Sequence, residues 1–406
     1  MKVTGMEVIA LRSFGTAPPK GTGNTLVTPL SILERWPSNT PAGAAAAGGV
    51  ARYALIAALT AEDGSVGYGS VALATGGAAH TLEHALRPIV VGADIFDTNL
   101  IWETMYRATL NHGRKGLVLA AISAVDIALW DLKGRILGQP VYNLLGGRMR
   151  QTIPVYASRL YATEDLDALA AEAVGYLRQG FRAMKLRFGY GPRDGAAGMR
   201  RNLDLVRTVR KAIGDDIDVM VDAYMGWDVG YCTRILPLLE PYRLRWIEEP
   251  VSPDDVEGYV RVKELANARG ILISGGEHEY TRYGMRRLIE ARAVDVLQPD
   301  VNRMGGISEA QKVWALAAAH HLPVIPHAGQ MHNYHLVIAH LNSPIAEYFP
   351  PPDEGVLPGM NEAFWWIFRG EPRVEDGHVR LNGLPGLGLE LDSDVIARYR
   401  IAIPAW

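Results

Sequence analysis

Val219-Met-Val-Asp222, Arg245-Trp-Ile-Glu248 and Ile271-Leu-Ile-Ser-Gly-Gly-Glu277 are short apolar runs that each end on a carboxylate. Val294-Asp-Val-Leu-Gln-Pro-Asp300, Val324-Ile-Pro-His327 and Ile345-Ala-Glu347 continue the series. The polar residues are separated by 26, 29, 23, 27 and 20 positions. Each interval has room for one strand, two loops and one helix, so the stretch reads as successive β/α units. In a barrel of such units the C-terminal ends of the strands open onto one face, where reactive groups converge. Three carboxylates followed by Asp and His on that face suggest a divalent metal beside an acid/base pair.

Working outward, apolar runs predict strands at 152–158, 183–188, 218–223, 244–248, 271–275, 294–298, 323–326 and 345–348, with amphipathic helices such as 198–213 and 308–320 between them. This alternation implies a parallel α/β barrel. Upstream the pattern is α+β. A first strand precedes a Gly/Pro/Thr-rich stretch from Gly15 to Gly49, whose composition suits a mobile surface loop. Ala51–Thr60 and Ser65–Leu73 are joined by Glu62-Asp63-Gly64, a hairpin turn. Helices are predicted from Thr81 to Val90 and Thr98 to Asn111, with Thr81 and Thr98 as N-caps, and from Ala121 to Leu137. The Pro/Gly-rich tail after Pro350 adds no ninth unit and is expected to pack back on the N-terminal part.

Composition narrows the function classes. The chain has 406 residues, 48% of them apolar, and a formal net charge of −3, which argues against a nucleic-acid or anionic-membrane partner. A single cysteine, Cys232, forms no intrachain disulfide, in keeping with a reducing compartment. There is neither a signal-peptide core after Met1-Lys2 nor an 18-residue apolar run. A soluble cytoplasmic protein is expected.

Asp222, Glu248 and Glu277 would stand on neighbouring strands, and hard oxygen ligands so placed suit Mg²⁺. No thiol or imidazole of matching placement accompanies them. Any one alone would read as a helix cap or solvated loop residue. Strand alternation would turn Glu249 away from the face that Glu248 occupies, and Glu279 is the other near competitor. Asp300 and His327 would form a dyad in which the carboxylate fixes the imidazole tautomer and raises its basicity. His320, His321, His332, His335 and His340 lie nearby, and only His327 ends a strand. Glu347, if protonated, could donate to a substrate carboxylate; a surface ion pair is the other reading. Lys185 and Arg187 share one face of their strand, either neutralising an anionic substrate or holding barrel carboxylates in ion pairs. No dinucleotide fingerprint, P-loop or Gly-x-Ser-x-Gly elbow is present, so neither a nucleotide cofactor nor serine chemistry is supported.

Five further motifs carry a resemblance: Ser123-Ala-Val-Asp-Ile-Ala-Leu-Trp-Asp-Leu-Lys-Gly-Arg135, Pro140-Val-Tyr-Asn-Leu-Leu-Gly-Gly147, Trp246-Ile-Glu-Glu-Pro250, Gln298-Pro-Asp300 with Gly305-Gly306, and Pro385-Gly-Leu-Gly-Leu-Glu390. With them the chain resembles the enolase superfamily, in its mandelate racemase branch, over nearly its whole length. The resemblance implies a modified (β/α)₇β barrel at 123–350 under an α+β capping domain made from 1–122 and 351–406. It implies Mg²⁺ on Asp222, Glu248 and Glu277, an Asp300–His327 dyad, and Glu347 as eighth-strand donor. Racemases of the branch carry a second lysine where this chain has Arg187, which argues against two-base racemisation. Ser274-Gly-Gly-Glu-His278, Gly189-Tyr-Gly-Pro-Arg-Asp-Gly195 and Thr28-Pro-Leu-Ser31 are similar to the acid-sugar dehydratases that resemble L-rhamnonate dehydratase. The expected activity is Mg²⁺-dependent dehydration of a sugar acid in carbohydrate-acid catabolism, by a homo-oligomer. Epimerisation of a 2-hydroxy acid and non-catalytic sugar-acid binding are the alternatives.

Overall fold

The computed structural model describes residues 1–13, 25–33, 40–41, 52–71, 75–351 and 367–403. Parallel strands form a continuous curled sheet in the order Val296–Leu297, Leu272–Gly275, Trp246–Glu248, Asp218–Asp222, Ala183–Arg187, Ile153–Leu160, Ala346–Tyr348. Sequential strands are neighbours, and the last pairs with the first, as in a closing barrel. Alternating helices, among them Leu166–Arg178, Gly195–Ile213, Val256–Asn267 and Gly306–Ala319, lie between the strands in sequence. Seven of the eight expected strands are found, with no end shifted by more than two residues. The remaining one, 323–326, the seventh in chain order, is reduced to a single bridge between Leu297 and Val324. Pro323 and Pro326 have no N–H to give to a ladder, so that segment is held by Val324 and Ile325 instead.

The barrel interior is divided. Its lower part is filled by Tyr156, Met220, Trp246, Val296 and Ile325. Above them the inward positions become charged at Lys185, Arg187, Asp222, Glu248 and Glu347, all buried.

The N-terminal part is an antiparallel sheet of Val3–Ser13, Arg52–Ala61 and Val66–Val71, with the hairpin turn at Glu62-Asp63-Gly64 as expected. Leu117–Ile136 packs on this sheet. A Cβ on Gly69 would lie 1.9 Å from the Ala124 carbonyl oxygen, and one on Gly67 2.4 Å from that of Ala128. Only glycine lets the strand come so close to a helix backbone. That helix is buried nearly all round because its other side meets the barrel. The helix expected to start at Thr81 begins at Gly76, capped by Thr75, and Thr81 lies inside it with its hydroxyl donating to the Gly77 carbonyl at 2.8 Å. Thr98 is the first residue of its helix and Asp97 holds the cap position, without a side-chain cap bond. The Gly15–Gly49 loop lies largely outside the described residues. No helix among the described residues is long and apolar enough to cross a membrane.

The C-terminal segment packs on both parts. Arg400–Ile401 pairs with Ala10 and Leu11 of the first strand, and His378–Val379 pairs with the barrel strand Ile153–Leu160. His335 ties this segment down. Its Nδ1 accepts the Tyr142 N–H at 3.0 Å and its Nε2 donates to the Leu387 carbonyl at 3.2 Å. This pattern requires the neutral ring, and burial pushes its pKa down to about 4. The folded-state value lies below the unfolded value of about 6.5, so His335 stabilises the fold above that pH and its contribution is lost as pH falls toward 4. One such proton is worth up to about 1.4 kcal/mol per pH unit. A His335→Gln variant is therefore expected to be less stable at pH 7 but to lose less melting temperature between pH 7 and pH 4.5 than the wild type. Parallel melting profiles for the two proteins would contradict this.

Candidate active site

Each strand end delivers its side chain through a specific local device. Asp222 accepts the Tyr224 N–H at 2.8 Å, and Tyr224 and Met225 then take left-handed φ values of 42° and 59° to turn the chain out of the strand. Glu248 stands in register with Asp222 on one side and Ser274 on the other. Glu277 follows Ser274 through Gly276, whose φ of 127° suits glycine. Asp300 caps the short helix Val301–Met304, its Oδ1 accepting the Asn302 N–H at 2.8 Å. That leaves Oδ2 for His327 Nδ1, at 2.9 Å. His327 Nε2 faces Glu277 Oε2 at 3.2 Å.

Lys185 joins strands that are not neighbours. Its ammonium lies 2.6 Å from Glu248 Oε1 and 2.8 Å from Glu347 Oε1, with all three side chains at or below 1% exposure. Burial alone would lower the Lys185 pKa, but the two carboxylates outweigh it and hold the lysine protonated, a cation rather than a base. Burial likewise opposes ionisation of Glu347, yet Lys185 and His327 hold its carboxyl well below the usual range. Glu347 also accepts the Ala328 N–H at 2.7 Å. In this structure it is therefore a fully buried, ionised acceptor; neither the protonated donor nor the surface ion pair read from sequence describes it.

Burial also acts against charge on the dyad. Arg303 and His327 nevertheless keep Asp300 ionised, while Glu277 and Asp300 push His327 up to about 9. Asp222 and Glu248 are pushed up by burial and by their carboxylate neighbours, despite Lys185.

Glu249 departs from the sequence reading. Its left-handed φ of 44° ends the strand alternation at Glu248, and the side chain stays at the site, where it accepts His278 Nδ1 at 2.8 Å. Glu249, Glu277 and His278 bring one potential ligand atom each within 4.8 Å of one another. An imidazole thus stands beside the carboxylates where none was expected. Glu279 turns the other way, to Lys115 at 2.8 Å.

Sequence reasoning missed Arg303, whose Nε lies 3.0 Å from Asp300 and whose Nη1 lies 3.3 Å from Glu277. Its position three residues after Asp300 was the available signal. Gln298 was quoted only as motif; its amide donates to Glu248 Oε2 at 2.9 Å. Ser158 links Arg187 Nη2, at 3.1 Å, to Glu347.

The buried carboxylates of Asp222, Glu248, Glu249, Glu277, Asp300 and Glu347 face three permanent cations, Lys185, Arg187 and Arg303, with His278 and His327 beside them. Carboxylate oxygens clustered out of water in this way suit a divalent cation with oxygen ligands.

Against known proteins, two family models match: "Mandelate racemase / muconate lactonizing enzyme, N-terminal domain" over residues 28–146, and "Enolase C-terminal domain-like" over 168–395. The chain is 40% identical to the L-rhamnonate dehydratase of Saccharopolyspora erythraea over 346 residues, 85% of this chain and 84% of that one. It is similar to the crystal structure of rhamnonate dehydratase from Gibberella zeae complexed with Mg, with a TM-score of 0.83, 32% identity, and 98% and 96% of the two chains covered. It is also similar to a racemase from Streptomyces coelicolor with bound magnesium, with a TM-score of 0.81, 27% identity, and 98% and 100% covered.

Removing Lys185 leaves two buried carboxylates without their shared cation. Lys185→Met is expected to destabilise the protein by about 3–5 kcal/mol, read from the urea midpoint at pH 7.5. A loss below about 1 kcal/mol, the range of exposed ion pairs, would show that the cluster does not depend on this lysine.

Proposed function

We infer the function of this chain from its kinship: it belongs to the mandelate racemase / muconate lactonizing enzyme family, and within that family it is a sugar-acid dehydratase, a hydro-lyase. The proposed substrate is an aldonate of the L-rhamnonate kind, and the product a 2-keto-3-deoxy sugar acid. One observation carries the mechanism: the His327–Asp300 pair at 2.9 Å, with Nε2 turned toward the carboxylate cluster.

Asp222, Glu248 and Glu277 are the residues proposed to hold Mg²⁺, which when bound supplies Lewis-acid neutralisation of the substrate carboxylate. His327 removes the C2 proton through Nε2 as the neutral imidazole, so this atom must first give up Glu277, the carboxylate that does most to keep the ring protonated. Asp300 holds the ring tautomer and offsets the imidazolium charge. Lys185, kept protonated by Glu248 and Glu347, stabilises the enediolate. Glu347 acts through Lys185, fixing its ammonium. His327 then returns its proton to the departing 3-hydroxyl, and the enol tautomerises to the keto acid. Arg187 stays charged throughout and is a fixed cation on the substrate, not a second base. The proposed division of the chain remains a barrel at 123–350 capped by 1–122 and 351–406.

With an aldonate library, the enzyme is expected to form 2-keto acids only with Mg²⁺ present, and EDTA to abolish the reaction reversibly. Full turnover by metal-free enzyme would overturn the metal assignment. His327→Asn is expected to lose at least about 10²–10⁴ in kcat, since one group serves as base and acid. Retained turnover in this variant would place the base elsewhere.

A further inference from the structure

Arg187 is a buried guanidinium whose hydrogen bonds are incompletely used. A guanidinium has five N–H donors. Ser158 takes two of them, its carbonyl at 3.3 Å from Nη1 and its hydroxyl at 3.1 Å from Nη2. Nε faces Asp222 Oδ2 at 3.7 Å. One further N–H on each terminal nitrogen has no partner among the described residues. On a residue only 5% exposed, a donor left unpaired costs stability unless something else occupies it.

The guanidinium is also held from one side. Its central carbon lies 4.6 Å from the centre of the Tyr161 ring, with Phe349 further off at 5.8 Å. Tyr161 directly follows the first barrel strand, Ile153–Leu160. The ring is half-buried, and its hydroxyl hydrogen-bonds nothing among the described residues. The capping segment closes on the same corner: Thr25 N–H bonds the Ala162 carbonyl at 2.8 Å and Val27 N–H the Phe188 carbonyl at 2.7 Å. Those two backbone groups adjoin Tyr161 and Arg187 in sequence. The corner thus joins a phenol and two guanidinium N–H groups that are unpaired among the described residues, two positions up the strand from Lys185.

We propose that Tyr161 is a specificity-determining residue of this site. Its ring fixes the Arg187 fork, and its hydroxyl, together with the free N–H groups of Arg187, receives hydroxyls of the sugar acid remote from the carboxylate. The inference rests on the dehydratase reading above and names which part of the substrate is read, and by what. A site built to hydrogen-bond a substrate hydroxyl rejects analogues that lack it, because its own polar groups are then left unpaired.

The test uses full-length, Mg²⁺-loaded wild type, Tyr161→Phe and Tyr161→Leu against four-, five- and six-carbon aldonic acids, with 2-keto acid formation as readout. Tyr161→Phe keeps the stack and deletes the hydroxyl. It is expected to raise KM roughly three- to tenfold for the longer acids, with kcat within about twofold and no change for the four-carbon acids. Tyr161→Leu, which also frees the guanidinium, is expected to lower kcat as well, so that Phe restores kcat and only Tyr restores KM. Unchanged KM in Tyr161→Phe, or the same KM ratio at every chain length, would overturn the role of Tyr161 while dehydration stands. A wild type that dehydrates none of the panel would overturn the dehydratase reading and this inference with it.

Discussion

The Lys185 ammonium, buried between Glu248 and Glu347, is the interaction on which the upper half of the barrel depends. It starts on the second strand and reaches the fourth and the eighth, so it cross-links elements that share no ladder hydrogen bonds. Taking an ammonium and two carboxyl groups out of water is costly, and only close pairing with further hydrogen bonds offsets that cost. Those bonds are present: Gln298 on Glu248, and Ala328 N–H and Ser158 on Glu347. Once Lys185 is committed to these two carboxylates, Asp222, Glu249 and Glu277 face Arg187, His278, Arg303 and His327 instead. The same packing that stabilises the strand ends gathers carboxylate oxygens of the kind that suit a divalent cation.

A second constraint ties the dyad to the helix Leu117–Ile136. The segment after Asp300 runs through Gly305-Gly306 into the helix Gly306–Ala319, and residues that precede the first barrel strand satisfy its polar groups. Ser123 Oγ accepts the Gly305 N–H at 2.8 Å, and Trp102 Nε1 donates to the Gly305 carbonyl at 2.7 Å. Asp126 accepts the Ser308 N–H at 2.8 Å, and Trp130 Nε1 donates to the Ser308 hydroxyl at 2.8 Å. A Cβ on Gly306 would lie 2.5 Å from the Asp126 carboxylate. The Ser123–Arg135 motif therefore positions, through backbone contacts, the segment that carries Asp300 and Arg303.

How legible this was in the sequence follows from what each feature depends on. The period of strand-end acids was readable because strand and helix lengths are local properties, and it located Asp222, Glu248, Asp300, His327 and Glu347 at once. The inward pairing of Lys185 with Arg187 followed from two-residue alternation. Glu249 was misplaced because alternation holds only while the backbone stays extended, and its left-handed φ is set by the loop it enters. The missing ladder at 323–326 was foreshadowed by two prolines whose effect on hydrogen bonding outweighs the apolar pattern. The charge state of Glu347 was not readable at all, since it depends on a lysine 162 positions away in sequence. Arg303 and Ser158 fall in the same class: their partners are brought to them by barrel closure.

The most direct measurement is a crystal structure of the protein with Mg²⁺ and an unreactive 3-deoxy aldonate. The metal is expected on Asp222, Glu248 and Glu277 with oxygen distances of about 2.0–2.1 Å, and the substrate C2 within reach of His327 Nε2, on the face opposite Arg187. A metal held instead by Glu249, Glu277 and His278, or a C2 that faces Arg187 rather than His327, would contradict the assignment of both metal and base.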